Sequence, residues 1–151
     1  MNPTLLGSEL LLKETIFGLC IMFVVTLCNV YIFASVAMAY QKRLKSSRFI
    51  GKHLEIMRYA AYTMLLIVGM FFSLTIWVIA LRLFEVVPHI DPAMLMTISF
   101  FTSVGNYTLN LPYGWRLIPS LIAFSGLFSF AGATAIAISM ARQLLNRLDQ
   151  H

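Results

Sequence analysis

Residues 99–115 read SFFTSVGNYTLNLPYGW. The stretch is built from small and hydroxyl-bearing residues around Gly105, and apolar segments flank it on both sides. Overlapping its start, residues 93–101 form a short apolar run; after it, residues 117–141 carry no charged side chain. A glycine-containing loop between membrane-embedded segments must satisfy its backbone polar groups without bulk water, so it lines a cavity or is covered by protein.

The rest of the chain supports that setting. Of 151 residues, 60% are hydrophobic and 11% charged, at a mean hydropathy of +0.83, far too apolar for a soluble domain of this length. Three uncharged runs, residues 15–40, 59–81 and 117–141, each exceed the ~20 residues that cross ~30 Å of hydrocarbon, and each predicts a spanning helix. The run at 93–101 has nine residues, at most ~14 Å of helix, which reaches only half-way. The expected fold class is therefore all-α integral membrane, with three transmembrane helices and a short segment that dips and returns. Residues 1–12 lack the basic start of a cleavable signal, and no small-residue cleavage site closely follows the first long run, so the first helix is expected to stay.

Charge orients the helices. Residues 41–58 hold Lys42, Arg43, Lys45, Arg48, Lys52 and Arg58 against the single acid Glu55. By the positive-inside rule this loop is cytoplasmic, which leaves the N-terminus and the 85–91 connection outside and the C-terminus, with Arg142 and Arg147, inside. That topology accounts for the net charge of +5, so nucleic acid is not an expected partner. The loop has charge enough to hold anionic lipid heads, at ~1 kcal/mol per residue near the surface, although topology alone explains it.

Asp91 and Pro92 read as an N-cap followed by proline at the first helical position. The helix so begun runs through Met94, Ile98 and Phe101 on one side with Thr97 on the next, and ends near Thr102 and Ser103 because Gly105 follows. Its C-terminal end then lies near the membrane centre, where the macrodipole supplies partial negative charge and favours a cation. One chain of three helices cannot enclose such a loop. A homo-oligomer around it is expected, with membrane lipids covering the remaining surface.

The order of parts resembles the pore module of the two-transmembrane ion-channel family, in particular its small bacterial, potassium-channel-like members. There a short pore helix ends in T-V-G-Y-G, whose backbone carbonyls replace the water around a permeating ion. The corresponding residues here are Ser103, Val104, Gly105, Asn106 and Tyr107, preceded by Phe100, Phe101 and Thr102 and followed by Gly114, Trp115, Arg116 and Leu117. The resemblance covers roughly the last 70 residues. It implies an extra N-terminal unit, residues 1–58, and a pore module, residues 59–151, arranged as a homotetramer in a bacterial inner membrane. It also implies an ion path through Thr102, Ser103, Val104, Gly105, Asn106 and Tyr107, with a monovalent cation, potassium or sodium, as the permeant species.

Departures fall on the filter. Asn106 stands for the family's tyrosine, Tyr107 for its second glycine and Thr108 for the acid that usually follows. Carbonyls that all face one axis demand backbone angles that non-glycine residues adopt at ~1 to 2 kcal/mol. Gly105 suits such angles, Asn106 tolerates them and Tyr107 does not. Weak selectivity among monovalent cations, or hardly any conduction, is the expected consequence.

In the last helix Ser120, Ser125, Gly126, Ser129, Ala131, Gly132, Ala133 and Ala135 allow close backbone approach. The resemblance makes this the pore-lining helix, with Gly126 and Gly132 as hinge positions; plain packing against a neighbour is the competing reading. Trp77, Tyr113 and Trp115 are placed in an outer aromatic belt, and Tyr40, Tyr59 and Tyr62 in an inner one. Arg82 and Glu85 are candidates for a pair on one helical face. Asn29 is the only strongly polar residue of the first helix below its outer end and suits a hydrogen bond across helices. Cys20 and Cys28, eight apart on one helix, are roughly 12 Å from each other along its axis and beyond disulfide reach. The Asn106-Tyr107-Thr108 sequon is formal only, and there is no cysteine or histidine spacing for a bound metal.

Two functions are consistent with these features. One is an oligomeric cation channel of potassium-channel-like pore with altered selectivity; the other is a non-conducting structural or accessory membrane protein derived from a channel fold. No set of residues supports an enzyme, since catalytic triads, HExxH and paired carboxylates at membrane depth are missing.

Overall fold

A computed structural model describes residues 3–46, 51–105, 111 and 115–149, with side chains from residue 12 onward. Four helices make up the fold: α1 (Pro3–Ser46), α2 (Lys52–Leu83), α3 (Ile90–Phe101) and α4 (Ile118–Asp149). No strand occurs among the described residues. At 1.5 Å per residue α1 is about 66 Å long and α2 and α4 about 48 Å each, and all three are long and apolar enough to cross a membrane. With 12 residues, α3 is about 18 Å long and is not.

Contacts fix the helix directions. Near the start of α1, Glu14 meets the start of α4 at Leu117 and Ile118; near its end, the Leu44 carbonyl meets Arg147 near the end of α4. Helices α1 and α4 therefore run parallel. Helix α2 returns antiparallel against both, with Ser73 at Asn29 and Trp77 at Ser125. The Phe17 ring of α1 meets that of Phe84, just past the end of α2, at a tilt with centroids 4.4 Å apart, and that of Trp115, ahead of α4, edge-on at 5.3 Å. The three long helices thus share one end, from which α3 sets out.

Apolar side chains along these contacts form a single core that includes Val25, Phe33, Leu66, Trp77, Phe101 and Ile122. Outside it, only 22% of the apolar window of α1 and of α4 is buried within the chain, against 39% for α2. Phe23, Tyr31, Phe71 and Phe128 are among the large side chains left uncovered. In water such surface would aggregate; in a bilayer it is solvated by acyl chains or covered by a neighbouring subunit.

Several local expectations are corrected. The basic segment 41–58 is mostly helical: Lys42, Arg43 and Lys45 lie on the last turns of α1, while Glu55 and Arg58 lie on the first turns of α2. Helix α3 begins at Ile90 behind a His89 cap, not behind Asp91. Pro92 is accepted because the first backbone bond of the helix is donated by Ala93, to the His89 carbonyl. Its buried face is Ala93, Met96, Thr97 and Phe101, with Met94 exposed. Arg82 does not pair with Glu85, since α2 ends at Leu83; the guanidinium donates instead to the Pro88 carbonyl. Trp77 and Tyr40 are completely buried and belong to no lipid-facing belt.

Candidate functional site

Helix α3 carries its loop down the side of α4. Its last residue, Phe101, packs on Gly126, so closely that a Cβ there would overlap the Phe101 carbonyl oxygen and lie 2.8 Å from its carbon. Gly126 is eight residues into α4, about 12 Å along the helix from its start at Ile118. The Phe101 and Phe130 rings, 6.2 Å apart, continue the contact. The end of α3 therefore lies about 12 Å inward along α4, among apolar side chains.

At that depth the backbone turns. Thr102 caps the helix, its amide donating to the Ile98 carbonyl at 3.0 Å and its hydroxyl to the same oxygen at 2.8 Å. Ser103 adopts a left-handed conformation at φ 60° and donates its amide to the Phe100 carbonyl at 2.9 Å. Gly105, at φ 66°, donates to the Ser99 carbonyl at 3.1 Å. The Ile98, Ser99 and Phe100 carbonyls of α3 are thus satisfied by the turn that follows. Thr102, Ser103, Val104 and Gly105 are all exposed in the single chain, Val104 at 70%. The other two residues of the expected ion path, Asn106 and Tyr107, lie outside the described residues, as do Thr108, Tyr113 and Gly114.

The small residues of α4 are divided between its two sides. Ser125, Gly126, Ser129 and Ala133 are buried against the other helices of the same chain. At Gly132 an added Cβ would meet the Phe33 ring at an ordinary 3.5 Å, so the fold has no steric need of glycine there. On the opposite side α4 exposes Phe124, Leu127 and Phe128 in its first half and Ala131, Thr134, Ala135 and Ser139 further on.

Polar residues cross the core in a connected set. Asn29 donates through Nδ2 to the Ser129 hydroxyl at 2.7 Å and accepts at Oδ1 from the Ser73 hydroxyl at 2.7 Å; Ser129 in turn donates to the Ser125 carbonyl. The Trp77 indole donates to the Ser125 hydroxyl at 3.0 Å. Asn29, Ser73, Trp77, Ser125 and Ser129 are thus all partnered, and α1, α2 and α4 are joined at one level.

Two carboxylates escaped the sequence reading. Glu14, 1% exposed, accepts the backbone amides of Leu117 and Ile118 at Oε1 and so caps α4 from another helix, while its Oε2 is buried without a hydrogen-bond partner. An isolated acid one residue ahead of an apolar run was its only signal. Glu55, fully buried, holds Arg58 at 3.0 Å and Arg147 at 3.5 Å, joining α2 to α4 at the other end. Among the described residues no group of histidine, cysteine, aspartate or glutamate side chains is arranged to hold a metal. Cys20 and Cys28 are free thiols.

No protein-family model matches the chain, and no curated protein or solved structure matches it either.

Proposed function

We propose that the chain is the subunit of a small oligomeric channel for monovalent cations, a relative of the potassium-channel-like family, in which α3 is a re-entrant pore helix. In this reading Thr102, Ser103, Val104, Gly105, Asn106 and Tyr107 border the ion path, α4 lines the cavity beyond it, and four copies close the ring. The N-terminus lies outside and the C-terminus in the cytoplasm, in accord with the basic end of the α1 and α2 hairpin.

One observation carries the proposal. The turn after α3 lies about 12 Å inward along α4 and faces away from its own chain. Irregular backbone at such depth is tolerated only under protein or beside water, and copies of the same loop around a central path supply both. Ser103 and Gly105, both left-handed, turn the backbone at positions that this reading puts on the ion path.

A different observation favours the accessory reading: the turn after α3 is closed on the helix by its own amides, Ser103 to the Phe100 carbonyl and Gly105 to the Ser99 carbonyl, as at an ordinary helix C-terminus. Flux decides between them. Purified protein in liposomes is expected to pass potassium and sodium with little preference, and Gly105→Asp is expected to abolish the flux. Absence of flux under any gradient or voltage would leave the accessory reading; a steep preference for potassium would show that Asn106 and Tyr107 do not weaken selectivity.

A further inference from the structure

We infer that the last turns of α1 form a binding site for the headgroup of an anionic phospholipid. Two adjoining hollows lie there. One, of about 550 Å³, is lined by Met38, Gln41, Lys42, Lys45 and Ser46; the other, of about 350 Å³, lies between α1 and α2 and is lined by Ala39, Lys42, Arg43, Ser46 and Tyr62. Lys42 and Ser46 border both, so a cation and a hydroxyl stand on the shared rim.

Charge selects the ligand. Lys42, Arg43 and Lys45 are exposed, and no ion pair engages them among the described residues. Two acids lie at this end of the bundle. Glu55 is fully buried and held by Arg58 and Arg147, and Asp149, on the last residue of α4, makes no ion pair with the three cations. The end of α1 itself opposes an anion, but its partial charge of about half a unit is outweighed by three full positive charges. A phosphate is the complement that remains.

Position makes that phosphate a lipid's. Met38 and Ala39 form the inward edge of the hollows, and Met38 is 63% exposed, so an acyl chain has apolar surface directly beside the cations. Tyr62 is held in the groove by an edge-on contact, 5.3 Å between ring centres, with the fully buried Tyr40. Lysine stems lying along apolar surface with their ammonium groups at the phosphate level are the expected geometry at a membrane interface. The site depends on the spanning helices and not on the loop after α3, so it stands whether or not the chain conducts.

The test is retention of lipid by the delipidated, purified protein, read by native mass spectrometry after addition of phosphatidylglycerol or phosphatidylcholine. Phosphatidylglycerol is expected to be retained preferentially. Lys42→Gln is expected to weaken it about fivefold, the equivalent of ~1 kcal/mol, and Arg43→Gln by a similar factor. Lys52→Gln, an exposed cation at the same end that lines neither hollow, is the control and is expected to change nothing. Equal retention of the two lipids, or an equal loss in Lys52→Gln, would overturn the site in favour of diffuse surface charge. Displacement of the lipid by millimolar inorganic phosphate would overturn the lipid as its occupant.

Discussion

The carbonyl oxygen of Phe101 fills the space that a Cβ on Gly126 would need. A single hydrogen in place of a methyl therefore sets how deep the short helix α3 lies against α4. Whatever passes the turn after α3, the height of that turn is fixed by this contact.

Replacing Gly126 with alanine tests it through the sign of the effect. In a helix free of contacts, alanine for glycine stabilises by about 1 kcal/mol. Here the methyl meets backbone, which cannot rotate away as a side chain would, and overpacking of this kind costs about 1 to 3 kcal/mol. Gly126→Ala should therefore lower the unfolding midpoint in mixed micelles, whereas Gly132→Ala, whose methyl would meet the Phe33 ring at an ordinary van der Waals distance, should raise it or leave it unchanged. A stabilised Gly126→Ala would mean that α3 does not pack at this height.

Ser103, like Glu85 at φ 53°, is a non-glycine residue with left-handed backbone. At φ 60° it occupies the region that glycine enters freely and other residues enter at ~1 to 2 kcal/mol. Ser103→Gly is accordingly expected to raise the thermal midpoint, less the conformational entropy that glycine adds to the unfolded chain. Ser103→Val should lower it, because a β-branched residue is disfavoured further at positive φ. Equal midpoints for the three proteins would show that the turn is not left-handed at this position.

Asn29 makes a separate prediction. Removing its amide leaves Ser73 with only the longer bond to the Gly69 carbonyl, at 3.4 Å, and Ser129 without the Asn29 donor, both in the core. Interhelical hydrogen bonds in membranes average ~0.6 kcal/mol, so Asn29→Ala and Ser73→Ala should couple by about that amount in a double-mutant cycle of unfolding. Zero coupling would place the two side chains apart.

How far the sequence foretold these contacts depends on what each required. Length and the absence of charge sufficed for α1, α2 and α4, because a bilayer imposes one solution on an uncharged run that long. The end of α3 was legible at Gly105, a residue suited to the left-handed turn. Its start was not: proline is tolerated throughout the first turn, so Pro92 could not distinguish a cap at Asp91 from one at His89. Trp77 read as an interfacial anchor because hydropathy reports depth and not direction. What turns it inward is the Ser125 hydroxyl, which belongs to another helix. Asn29 was legible because a lone amide in an apolar helix has little to do except pair with a neighbour. The turn at Thr102 to Gly105 was legible as a place, while its left-handed Ser103 was not, since nothing in serine announces a positive φ.

Glu14 was missed for a related reason, and it supports the last prediction. Its partners are backbone amides, which every residue but proline possesses, so the contact leaves no mark on the sequence around Leu117 and Ile118. Those amides are among the four that a helix start cannot satisfy internally, and a carboxylate there is favoured both as acceptor and by the helix dipole. Glu14→Ala should cost about 1 to 2 kcal/mol, the range for a lost cap, and Glu14→Gln less, since its side-chain oxygen still accepts. Hydrogen exchange gives the local readout: the Leu117 and Ile118 amides should exchange faster in Glu14→Ala, with those near Ser73 unchanged. If both regions exchange as in the unaltered protein, α1 does not hold the start of α4.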